Sequence, residues 1–84
     1  MIVKMDREAL VSLAHNEKQE MDLKSNNFAG YIYSFNIYLD VQKGEYFIKD
    51  KDGVDIMRTD GTTSEGLDDL LFYIRGLMEQ KVVH

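Results

Sequence analysis

The chain contains no cysteine. Disulfides, iron–sulfur ligation, thiolate nucleophiles and the usual thiolate zinc sites are therefore excluded, and packing and hydrogen bonds must hold the fold. A reducing cytosol suits such a chain, an oxidising compartment would serve equally, and a cytoplasmic location is the expectation. No run approaches the roughly 18 apolar residues needed to span a bilayer, and Met1–Asp6 offer neither an apolar signal core nor a small-residue cleavage site. A soluble protein without a membrane partner is expected. The two histidines, His15 and His84, are too few for a transition-metal site in the absence of cysteine, and no cofactor is expected. No basic run is present either. Nucleic-acid binding draws most of its affinity from cations that displace counterions on phosphates, so direct nucleic-acid binding is not expected.

The 84 residues are 44% hydrophobic and 11% aromatic, too rich in core formers for disorder. They suit one domain, residues 1–84, that buries roughly 60–65% of its unfolded surface. The net charge of −5 is unevenly spread. Residues 1–44 hold five basic and six acidic groups, residues 45–69 three and eight, and residues 70–84 two and one. An acidic middle segment favours a basic partner.

Periodicity supplies the elements. Leu10, Leu13, Ala14, Glu17 and Met21 form one helical stripe behind an Asp6 N-cap, with Met5 and Leu10 spaced as a hydrophobic staple and Ser25-Asn26-Asn27 as the stop. From Tyr31 to Val41 the period is two, which predicts a long half-buried strand. A two-residue Lys43-Gly44 loop would then set Gln42 opposite Glu45, Val41 opposite Tyr46 and Leu39 opposite Ile48. At Asp50-Lys51-Asp52-Gly53 a glycine-bulge turn would pair Asp50 with Val54 and Ile48 with Ile56. A two-residue Asp52-Gly53 loop would instead pair Ile48 with Met57 and turn Val54 and Ile56 outward. The first register is preferred because it buries more apolar surface. Thr62-Thr63-Ser64-Glu65 reads as a T-x-x-E capping box for a helix from about Ser64 to about Lys81, with Leu67, Leu70, Leu71, Ile74, Leu77 and Met78 on its stripe. Its first turns carry acids, and Arg75 and Lys81 complement the other end of the dipole. The fold class is α+β in the order αβββα, a three-stranded antiparallel meander with two helices packed on one face.

Catalytic patterns are absent. Asp50, Asp52 and Asp55 do not fit an EF-hand loop, because aligning Gly53 with its glycine leaves Ile48 and Thr59 at the first and last ligand positions. No nucleophile-elbow or phosphate-loop motif accompanies His15 or the glycines, and at Gly61-Thr62-Thr63-Ser64 the nearby acids disfavour an anion. A non-enzymatic protein is expected. Its binding cue is the open sheet face, where Phe47 would lie opposite Met57 with Tyr38 as a neighbour, ringed by Asp40, Glu45, Lys49 and Asp55. An apolar centre inside a polar rim describes a partner-binding patch.

The element order resembles that of double-stranded-RNA-binding domains. Their lysine-rich second helix start is replaced here by Ser64-Glu65-Gly66-Leu67-Asp68-Asp69, of opposite sign, so that likeness ends at topology. Size, element order and acidic patterning also resemble small phage-encoded anti-CRISPR proteins of αβββα type. That resemblance implies an inhibitor occupying a basic nucleic-acid groove of a defence complex, with Glu45, Asp50, Asp52, Asp55, Asp60, Glu65, Asp68 and Asp69 as candidate phosphate mimics. The expected partner is a basic protein surface, contacted by these acids together with Tyr38, Phe47 and Met57. A monomer or a homodimer is expected, and the alternative reading is a small homodimeric structural or regulatory protein with no inhibitor role, in which the Phe47 patch is self-complementary.

Overall fold

The helical stripe expected from Asp6 to Met21 is interrupted. In the computed structural model, which describes residues 1–82, the N-terminal part holds three short helices: α1 (Arg7–Ser12), α2 (Glu17–Lys24) and α3 (Asn26–Ile32). Asp6 caps α1 as expected, its carboxylate accepting the Ala9 N–H at 2.8 Å. The break follows from Asn16, whose side chain accepts the Gln19 N–H at 2.9 Å and opens a new helix. It also changes the phase. Leu10 and Leu23 are fully buried, whereas Met21 is 64% exposed, which corrects its place on the inward stripe.

The expected strand from Tyr31 is corrected as well. Residues 28, 29 and 32 share a helical face, and that face is buried: Phe28, Ala29 and Ile32 enter the core from α3, leaving Tyr31, Tyr33 and Phe35 half-buried around the turn that follows. Strand geometry begins only at β2 (Asn36–Asp40), followed by β3 (Glu45–Lys49) and β4 (Asp55–Asp60). A further strand, β1 (Ile2–Lys4), pairs with β2 and makes the sheet four-stranded and antiparallel throughout, in the order β1-β2-β3-β4, where three strands and two helices were expected.

The β2–β3 register differs from expectation by two residues. Leu39 faces Tyr46 and Ile37 faces Ile48, because residues 41–44 form the loop, with Gly44 at φ 67° and its N–H donated to the Asp40 carbonyl at 2.8 Å. A slip of two preserves the inward set and moves only Val41 out to solvent. Between β3 and β4 both registers considered are used. Next to the turn, with Gly53 at φ 81°, the Asp50 N–H reaches the Val54 carbonyl at 2.9 Å and Lys49 faces Asp55. A bulge at Ile48/Lys49 then sets Ile48 opposite Met57 and Phe47 opposite Arg58, correcting the expected Ile48–Ile56 and Phe47–Met57 pairs. The bulge returns Met57 to the core side and leaves Val54 exposed.

Helix α4 (Ser64–Val82) matches its expected span. The cap sits one residue later than the T-x-x-E reading: Thr63 Oγ1 accepts the Gly66 N–H at 3.3 Å, while the Thr62 hydroxyl donates to Asp60 at 2.6 Å. The side chain of Lys81, expected near the far end, and His84 lie outside the described detail. Leu67, Leu70, Leu71 and Ile74 pack onto Ile37, Tyr46 and Ile48 of the sheet and onto Leu10, Leu23, Phe28 and Ile32 of the smaller helices. Gly66 is required, since a Cβ there would overlap the backbone carbonyl of Asp60.

Among the described residues one polar side chain is fully buried. Gln19 accepts the His15 N–H at 2.7 Å and donates to the Ser64 carbonyl at 3.0 Å and the Asp68 carboxylate at 2.8 Å, tying α2 to the start of α4. Two substitutions measure this junction by urea unfolding. Gly66→Ala is expected to cost about 3 kcal/mol through overpacking against backbone. Gln19→Ala is expected to cost about 2 kcal/mol, because it removes the amide's hydrogen bonds, one of them to the Asp68 carboxylate, and leaves its own buried site unfilled.

Candidate protein-binding surface

The side of the sheet away from the helices carries cross-strand rows. One row is Lys4, Tyr38, Phe47 and Arg58; the next is Ile2, Asp40, Glu45 and Asp60; Asn36, Lys49 and Asp55 form a third. Phe47 was expected to be the open centre of this face, and it is only 2% exposed. The Tyr38 ring stacks on it with centroids 5.2 Å apart, the Arg58 guanidinium lies 4.7 Å from its centroid, and the Lys49 ammonium lies 5.9 Å away. Carboxylates hold those cations in place: Arg58 reaches Asp55 at 2.6 Å and Glu45 at 3.5 Å, and Lys49 reaches Asp55 at 3.6 Å. The expectation of an exposed Phe47–Met57 patch is thus corrected. The bulge replaces Met57 by Arg58 beside the ring, and Met57 packs on the opposite face. A dimer built on an exposed Phe47 loses its contact residue for the same reason.

The acidic candidates divide into two groups. Asp50 shapes its turn, its carboxylate accepting the N–H groups of Asp52 and Val54 at 2.9 Å each, and Asp52 lies exposed at the tip. Asp60 accepts from the Thr62 N–H at 2.8 Å and from the hydroxyls of Thr62 and Thr63 at 2.6 and 3.3 Å. The Thr62 hydroxyl is the main reason that its carboxyl titrates below the ordinary aspartate value, and for Asp55 the main reason is the Arg58 hydrogen bond. Asp50, Asp55, Asp60 and Glu45 are therefore engaged within the fold. Glu65, Asp68 and Asp69 lie elsewhere, on α4, where Asp68 receives the Gln19 amide while Glu65 and Asp69 face solvent.

On that helix the residues opposite the buried stripe are Glu65, Asp69, Phe72, Gly76 and Glu79, spaced alternately by four and three. Phe72 is 79% exposed. Beside it an open groove of about 630 Å³ runs between α2 and α4, walled by Glu17, Lys18 and Asp22 on one side and by Asp68, Phe72 and Arg75 on the other. The cations of the groove have partners. Arg75 reaches Asp22 at 2.9 Å and lies 3.9 Å from the centroid of the Phe28 ring, and Lys18 reaches Asp22 at 3.4 Å. The solvent face of α4 is left with carboxylates around one aromatic ring.

Phe72, Gly76, Glu79 and Glu17 were not anticipated as site residues. The signal for Phe72 is present in the chain, since it stands off the Leu67, Leu70, Leu71, Ile74 and Met78 stripe with Asp68 and Asp69 one turn before it and Glu79 two turns after. No helix among the described residues is long and apolar enough to cross a membrane. No protein-family model, curated protein or solved structure matches the chain.

The carboxylate contacts set an acid dependence. A group whose folded pKa is lowered adds stability that is present above its unfolded pKa and is lost as pH falls through the folded value. Asp55 and Asp60 are therefore expected to titrate below ordinary aspartates when followed by carboxyl NMR shifts. Asp60→Asn is expected to make the acid limb of the stability profile shallower below about pH 4.

Proposed function

We propose that this chain is a non-enzymatic protein-binding module that recognises a basic protein surface through the solvent face of α4. The observation that carries this reading is Phe72, a large aromatic left almost wholly in water among Glu65, Asp68, Asp69 and Glu79. An isolated exposed apolar residue is ordinary, but an aromatic with carboxylates before and after it on its helix face, where the neighbouring Lys18 and Arg75 are engaged by Asp22, has the composition of a binding anchor inside a polar rim. Negative potential speeds encounter with a cationic partner, and burial of the ring slows its release. Where the partner's basic surface itself holds nucleic acid, occupancy by α4 excludes that ligand, the inhibitor role implied by the likeness to acidic anti-CRISPR proteins.

Affinity capture with the immobilised chain tests this reading. Partners retained by the native protein are expected to be basic, to elute with rising salt, and to fall at least tenfold in yield when Glu65, Asp69 and Glu79 are all changed to lysine. Reversal of Glu8 and Asp52, exposed residues outside α4, is expected to leave capture unchanged. An identical set of partners retained by the α4 reversal variant would refute the proposal.

A further inference from the structure

Among the described residues, nothing occupies the space that a side chain at Gly76 would fill. This glycine lies in the interior of α4, where glycine is among the least favourable residues. Its backbone has no positive φ, and a Cβ built on it meets nothing within 4 Å. Gly66, by contrast, is required by the Asp60 carbonyl. A helix-interior glycine that no described residue requires therefore sits one turn from an aromatic that no described residue covers. Both lie at the middle of a stripe whose ends are acidic, Glu65 and Asp69 on one side and Glu79 on the other. The stripe spans roughly 21 Å at the helical rise, about four turns.

From this coincidence we infer that the α4 face is a seat for a basic amphipathic helix of the partner, laid along α4 and brought closest at Gly76. The inference rests on the basic-partner reading above and specifies the element that binds. A bare Cα lets a neighbouring helix approach to the short end of the usual 8–10 Å axial separation. Phe72 then packs between apolar residues spaced three and four apart on the incoming helix, the arrangement of helix-in-groove recognition. Lysines or arginines flanking that apolar centre meet Glu65 and Asp69 at one end and Glu79 at the other. A second copy of α4 does not fit. Set antiparallel so that Phe72 covers Gly76 of the other chain, it would place Asp69 opposite Glu79, like charge against like.

The test uses the full chain, labelled with ¹⁵N, and three synthetic 14-residue peptides as probes: leucine and lysine at helical spacing, the same composition in strict alternation, and leucine and glutamate at helical spacing. The helical lysine peptide is expected to bind in a salt-dependent manner, to shift the amides of residues 65–79, and to bind at least tenfold more tightly than either of the others. Phe72→Ser is expected to weaken it at least tenfold. Gly76→Gln is the decisive variant, since glutamine favours the helix and has room: Tm should rise while affinity for the helical lysine peptide falls at least tenfold. Equal binding of the two lysine peptides, or unchanged affinity in Gly76→Gln, overturns the helical seat and leaves the basic-partner reading standing. Failure of both lysine peptides to bind overturns the seat and removes support from that reading as well.

Discussion

The placement of α4 depends on one close approach, the Asp60 carbonyl against the bare Cα of Gly66. The same aspartate holds the connecting turn with its carboxylate, so β4 passes into α4 at a fixed angle. That angle turns Leu67, Leu70, Leu71 and Ile74 onto the sheet and, by the geometry of the helix, sends Glu65, Asp69, Phe72, Gly76 and Glu79 to the other side. Gln19 then fastens α2 to the same turn through Ser64 and Asp68. Both walls of the groove beside Phe72 are thus located from one junction, and a shift there would move core and surface together.

Features decided within a few residues were legible in the chain. The Asp6 cap, the span of α4, the left-handed Gly53 and the inward sets of β2 and β3 all follow from local donors, turn chemistry or a period that no rival pattern contests. Features decided by competition were not. The alternation at Tyr31, Tyr33 and Phe35 competes with the helical spacing of Phe28, Ala29 and Ile32, and burial of the second set wins. Three residues give β1 no period to read, and its pairing with β2 is long-range. The bulge at Ile48/Lys49 lets the successive residues Ile56 and Met57 both pack against the core, which the strict alternation of a regular strand does not allow.

For the surface, the composition of the acidic segment was readable, but its division was not. A carboxylate in a sequence looks the same whether it shapes a turn, as Asp50 does, fixes an arginine, as Asp55 does, or meets only water, as Glu65 and Asp69 do. The engaged group is spread along hairpin ends and the outer sheet face. Apart from Asp52 at the hairpin tip, the free candidates gather on α4, because one helical face collects every third and fourth residue. Phe72 was legible as an aromatic off the buried stripe, yet attention to that stripe alone treats it as ordinary helix content.

Two phenylalanines show why one ring is closed and the other open. The face of an aromatic ring is negative, so it draws cations and gains nothing from carboxylates. Phe47 has Arg58 and Lys49 within reach, each steadied by an acid, and they cover it. Phe72 has carboxylates for neighbours on its own helix face. The nearest guanidinium, that of Arg75, is drawn the other way by Asp22 and by the ring of Phe28. The cations beside the Phe72 groove are held by Asp22, and the ring left uncovered is the one whose carboxylate neighbours would favour a cation arriving from another molecule.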